Sequence, residues 1–258
     1  MDGDFLRLLP KPALSVGTVE AMKATPLEAT TVFAFHYKDG ILMAGDHRAT
    51  AGNQVFSDQI EKILQLDRET MMAIAGSPAV ALEMARTLET SFEFYRRSQL
   101  QAMSLKAKTR ALTQLLKDNI PATLQGIGTV VPILAGTDRH RDGSEPAPVL
   151  YFYDPLGAQF ESTTFAASGS GSGSIQSILS YLQQWGNPSP QQMNLKEAVV
   201  LSNRLLQTAA TFDTATGGID PEDDRFATIK TLTSKGIENI DSTIQHRYWE
   251  QAGSHGKR

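Results

Sequence analysis

The order in which strand-like and helix-like segments follow one another constrains this chain more than any single motif. From Thr31 the residues alternate, with Val32, Ala34 and His36 on one face and Phe33, Phe35 and Tyr37 on the other. Lys38-Asp39-Gly40 is a turn, and the apolar run 41–45 reads as the buried second strand of a hairpin. A second hairpin is expected over 65–74, turning at Asp67-Arg68-Glu69. Ser77-Pro78 then opens a helix as N-cap and first-turn proline, with Ala81, Ala85, Leu88, Phe92 and Tyr95 on its apolar face. Ser104 opens a second helix, carrying Leu105, Leu112 and Leu116, that stops before Pro121. The apolar run 130–135 predicts a strand covered on both faces, and strands over 149–153 and 159–164 flank a turn at Asp154-Pro155-Leu156-Gly157. Helices near 174–184 and 194–211 follow, then a final strand over 226–232. From Ile240 the chain is a polar tail expected to fray or to dock on a neighbour. Strands, two helices, strands, two helices and a strand do not make the strict alternation of a parallel doubly wound sheet. They predict an α+β protein with two antiparallel sheets packed together and helix pairs outside.

Composition narrows the chemistry. With 258 residues, 41% of them hydrophobic and 20% charged, the chain can bury a sizeable core. The net charge is −4 and no basic cluster appears, so no nucleic-acid partner is expected. There is no cysteine, which excludes disulfides, thiol catalysis and zinc–thiolate sites. No apolar run approaches the length of a membrane span. The first 29 residues fail as a secretory signal, because Asp2 and Asp4 sit at the extreme N-terminus and Pro10 and Pro12 interrupt the short apolar stretch. No membrane partner is expected, and a cytoplasmic location is the default reading. The loop over 138–148 is the expected insertion site.

Thr30 and Thr31 stand directly ahead of the alternating strand. A threonine at a chain terminus can be a complete nucleophile: its hydroxyl attacks and its own α-amine, with an unperturbed pKa near ~8, takes the proton. A chain that uses this device must first cut away whatever precedes the threonine, which would give residues 1–29 a purpose. Each piece also has a plainer reading. Threonine favours strands; Asp46 and Arg48 could be a surface pair at a strand end; Lys62 could be solvated. Gly76 could serve as a turn before a helix, and 168–174, "SGSGSGS", has the composition of a flexible linker.

The combination is more specific than its parts. "TTVFAF", "GILMAGDHRAT", "GN", "EKI" and "AIAGSPA" follow in order, with "AASGSGS" and "DTATGG" later. Together they resemble the proteasome β-subunit family, most closely the bacterial 20S type, from Thr30 to about Leu232. The resemblance implies a four-layer αββα sandwich, the fold of the N-terminal-nucleophile hydrolases, and a threonine endopeptidase. It implies that residues 1–29 are a propeptide removed autocatalytically between Ala29 and Thr30, leaving 30–258 as the catalytic domain. Thr30 would be the nucleophile. Lys62 would lower the proton affinity of its hydroxyl, and Asp46 would hold that lysine charged and oriented. The Gly76 N–H would receive the oxyanion, and Ser170, Asp213 and Thr216 would surround the threonine amine. Arg48 would be structural.

Two positions depart from the family's habit: Ala29, where many members have glycine, and Thr216, where many have serine. The first predicts slower processing; the second keeps a hydroxyl. Substrate contact would fall to Ala49, Thr50, Ile60, Leu64, Ile74, Pro78 and Leu82, all apolar but Thr50, which favours a large hydrophobic or aromatic side chain before the cut bond. No metal or organic cofactor is implied. The implied partners are identical β-subunits in a seven-membered ring, proteasome α-subunits, a ring-shaped ATPase acting through the α-ring, and unfolded protein substrates. Two alternatives remain open: a non-catalytic ring subunit of the same assembly, and the shorter-type two-ring ATP-dependent threonine peptidase.

Overall fold

The computed structural model describes residues 30–51, 54–139 and 146–253. The expected propeptide and most of the expected insertion loop over 138–148 lie outside these residues. Strand β1 (Thr31–Tyr37) turns into β2 (Gly40–Gly45) as the expected hairpin, with Val32 opposite Gly45 and Tyr37 opposite Gly40. A short pair, β3 (Ala49–Ala51) and β4 (Gln54–Ser57), follows where no strand was expected. Then come β5 (Ile63–Gln65), β6 (Thr70–Ala73), helices α1 (Pro78–Gln99), α2 (Leu105–Asp118) and α3 (Ile120–Leu124), and strands β7 (Ile133–Asp138), β8 (Ala147–Tyr153), β9 (Gln159–Ser162) and β10 (Phe165–Gly169). The remainder is α4 (Ser172–Trp185), α5 (Leu195–Phe212), β11 (Thr228–Thr233), β12 (Gly236–Ile240) and α6 (Ser242–Gly253).

The strands form two antiparallel five-stranded sheets, β10-β1-β2-β11-β12 and β5-β6-β7-β8-β9. Three apolar clusters define the layering. Phe33, Phe35, Leu42 and Ile229 of the first sheet pack under Ile175 and Leu179 of α4 and Leu205 and Leu206 of α5. Met72, Leu134 and Val149 of the second pack under Leu88 of α1 and Leu112 of α2. Between the sheets lie Val32, Ala34, Ile41 and Met43 from one side and Ile63, Met71, Ile133 and Leu150 from the other. The alternation in β1 therefore has both faces buried: Val32 and Ala34 look at the second sheet, while Phe33, Phe35 and Tyr37 look at the helices. This is the predicted α+β, four-layer αββα arrangement.

Local expectations held unevenly. Ser104 caps α2 by accepting from the Ala107 N–H at 3.3 Å, whereas Ser77 occupies the N-cap of α1 without a side-chain cap bond. Helix α2 stops at Asp118, before Pro121 as expected, and Pro121 then sits in the first turn of the short α3, where its missing N–H costs nothing. The segment after Ile240 is a helix, not a loose tail. Gln245 buries against α5, the residue before β11 and the end of β12, donating to the Ala227 and Ile240 carbonyls at 2.9 Å each and accepting from the Asn203 amide at 2.9 Å.

Candidate active site

The site lies where the first strand starts. β1 is the second strand of its sheet, hydrogen-bonded to β10 on one side and β2 on the other, so its first residues are held from both edges. Thr30, immediately before it, is buried. Its carbonyl accepts from the Ser170 N–H at 3.2 Å, just past the end of β10. Gly169 faces Thr31 in that register and has φ +97°, and a Cβ there would lie 1.5 Å from the Thr30 oxygen. Only glycine allows that approach.

Asp46 follows β2, and its carboxylate is fully engaged. Oδ1 accepts from the Thr31 N–H at 2.9 Å and the Lys62 ammonium at 2.6 Å; Oδ2 accepts from the Arg48 N–H at 3.0 Å and the Gly217 N–H at 2.8 Å. Lys62, immediately before β5, also donates to the Arg48 carbonyl. Both members of this ion pair are buried, at 1% exposure for Lys62 and 2% for Asp46. Burial pulls the Lys62 ammonium below the usual lysine range, against the opposing pull of Asp46. Arg48 meets Asp46 and Lys62 through its backbone, while its guanidinium donates to Asp58 at 2.9 Å and to the Thr214 carbonyl at 3.3 Å.

Gly76 lies beyond β6 and has φ +100°. It bridges Val130 through the Ser77 N–H to Thr129 carbonyl bond at 2.8 Å and the Val131 N–H to Ala75 carbonyl bond at 2.9 Å. In an antiparallel pair of that kind the central residue's own N–H points away from the partner strand. Two residues earlier, on the same edge, the Ile74 N–H bonds the Lys62 carbonyl at 2.9 Å. The Gly76 N–H is thus directed to the Lys62 side. A Cβ on Gly76 would lie 2.1 Å from the Thr129 oxygen, so the position admits no side chain.

On the other flank, Asp213 caps the end of α5. Its Oδ2 accepts from the Ser170 and Thr216 hydroxyls at 2.6 Å each, and its Oδ1 from the Ala215 N–H at 3.1 Å. Partial burial works against its ionisation, but these bonds, with the Lys62 cation, hold its carboxyl below the ordinary value of 3.8.

Thr30, Asp46, Lys62, Ser170, Asp213 and Thr216, expected at one place, thus form one linked set across both sheets, with the Gly76 N–H on the Lys62 side. Of the expected substrate contacts, Ala49, Thr50 and Ile74 are buried; Leu64 and Leu82 are partly buried against the same cluster as Ile74; Ile60 and Pro78 are partly exposed. A cleft of about 680 Å³ borders the site at Asp46, Arg48 and Gly217 and extends to Phe226, Thr228 and Gln245; none of those seven residues lines it. Sequence reasoning missed Thr31, which acts through its N–H and its hydroxyl, and Gly169, Gly171 and Gly217, which act through backbone groups or close approach. The glycine–serine alternation at 168–174 was the available signal for two of them. Among the described residues no group of His, Asp and Glu is placed to hold a metal ion, and no helix is long and apolar enough to cross a membrane.

Two five-stranded antiparallel sheets sandwiched between helices, with a threonine at the head of a central strand, define an N-terminal-nucleophile hydrolase fold. Residues 27–220 match the proteasome subunit family, and the chain belongs to that family. It is 34% identical to a proteasome subunit beta of Acidothermus cellulolyticus over 83% of this chain and 72% of that one. It is likewise 34% identical to proteasome subunit beta 1 of Streptomyces avermitilis, over 82% and 72% of the two chains. A proteasome subunit beta of Acidimicrobium ferrooxidans is 32% identical over 82% and 74%.

Proposed function

We propose that the chain is a threonine endopeptidase, the β-subunit of a bacterial 20S core particle, and that residues 1–29 are a propeptide lost by cleavage between Ala29 and Thr30. The observation that carries the reading is the buried Lys62–Asp46 pair tied to the strand that Thr30 heads. After cleavage the Thr30 hydroxyl attacks a substrate carbonyl and its proton passes to the freed α-amine. The Gly76 N–H accommodates the oxyanion, the amine leaving group takes the proton, and an ester on Thr30 remains for water to hydrolyse. Lys62, held by Asp46 and Arg48, stabilises the developing alkoxide. The apolar set Ala49, Ile60, Leu64, Ile74, Pro78 and Leu82 favours cleavage after large hydrophobic residues. A nucleophile of this kind is confined by assembly, here in seven-membered β-rings between α-rings fed by an ATPase, in the cytoplasm.

The test is intact mass and peptidase assay of the particle, co-expressed with an α-subunit. The expected product starts at Thr30 and cleaves fluorogenic peptides, those with aromatic residues fastest. Thr30→Ala should assemble, keep its leader and lose activity. A leader retained under all assembly conditions would favour the scaffold reading.

A further inference from the structure

Thr31 is buried completely, yet its side chain is not part of the apolar core. Its hydroxyl lies 2.5 Å from the Thr216 hydroxyl and accepts from the Gly171 N–H at 3.0 Å. The direction of this chain follows from proton counting. An ionised Asp213 only accepts, so the single hydrogens of Thr216 and Ser170 both go to its Oδ2. Thr216 has none left for Thr31 and must accept from it. The bonds therefore run from Gly171 N–H to Thr31 to Thr216 to Asp213, with Ser170 arriving from the other side. The space is closed around them: a Cβ on Gly171 would lie 2.5 Å from the Thr216 oxygen and 2.7 Å from that of Thr31. At the same time the Thr31 N–H binds Asp46, which carries Lys62.

We propose that Thr31 is the positioning residue of the site, joining the Asp46–Lys62 pair through its backbone to the Ser170–Asp213–Thr216 group through its hydroxyl, and so fixing Thr30 between them. This rests on the threonine-peptidase reading. Gly169, Ser170 and Gly171 are consecutive. A shift at Gly171 is passed to the Ser170 N–H that holds the Thr30 carbonyl.

The experiment compares mature wild type with Thr31→Val and Thr31→Ser, in particles co-expressed with an α-subunit. Valine preserves shape and removes the hydroxyl, leaving the buried Gly171 N–H without an acceptor. We expect kcat to fall about 10- to 100-fold, because a displaced Gly171 moves the Ser170 N–H and with it Thr30 out of its attacking geometry, with KM within about twofold and processing slowed in parallel. Thr31→Ser restores the oxygen and should recover most of kcat. Circular dichroism and particle mass are expected unchanged in both. If wild type cleaves peptides and Thr31→Val matches it, or if serine rescues nothing, the positioning role is wrong while the peptidase reading stands. A wild type that matures yet cleaves nothing removes the peptidase reading itself.

Discussion

Asp213 shows how the smallest scale sets the pH behaviour. Its folded-state carboxyl is below the ordinary 3.8, so it is ionised at neutral pH. Whatever stability it contributes is complete above the ordinary value and is lost only as pH falls through its lower folded-state value. Under the proposed mechanism the acid limb of kcat/KM should therefore belong to the Thr30 amine, which must be neutral to accept a proton, with a midpoint near ~8 for an unperturbed amine. Asp213→Asn should lower activity without removing a limb. A second break between about pH 4 and 6 that disappears in Asp213→Asn would contradict this assignment, since it would place the carboxyl above its ordinary range.

At the scale of elements, α6 is the piece the sequence concealed best. Its apolar content is low, and it is anchored by a polar residue: Gln245, 2% exposed, with bonds to Asn203, Ala227 and Ile240. Gln245→Ala would leave two buried carbonyls and part of the Asn203 amide without partners. A loss of about 1–3 kcal/mol is expected, read as an earlier urea midpoint with an unchanged slope. Periodicity made β1, β2, β8, α1, α2 and α5 legible, because each buries a face whose spacing is written in consecutive residues. It did not find β10: the strand expected over 159–164 stops where the chain changes sheet, between Ser162 and Phe165, with no strong turn signal. The site was legible to the extent that it consists of charged or hydroxyl side chains in a known order. The parts that act through a missing side chain or a backbone N–H, such as Gly169 at the Thr30 carbonyl, were not.

For the molecule as a whole, the important boundary is the layer between the sheets. Thr30, Asp46 and Ser170 flank strands of one sheet, while Lys62 and Gly76 flank strands of the other. The packing of Ile133, Met71 and Leu150 against Val32 and Met43 sets their distance. Ile133→Ala in this layer and Leu112→Ala under the helices should both cost about 2–5 kcal/mol, because each leaves a cavity at a fully buried site. Only the first should also lower kcat at temperatures well below unfolding, because only it loosens one sheet against the other. Equal kcat in the two variants, with both destabilised, would show that the catalytic alignment does not depend on the inner layer.

The position of Thr30, one residue ahead of β1, has a practical result for anyone handling the protein. Under the proposed maturation, a purification tag fused ahead of Met1 departs with the leader, whereas one fused after Arg258 travels with the finished subunit. A preparation tagged at both ends would then carry its own clock, the ratio of the two tags reporting how far ripening had gone.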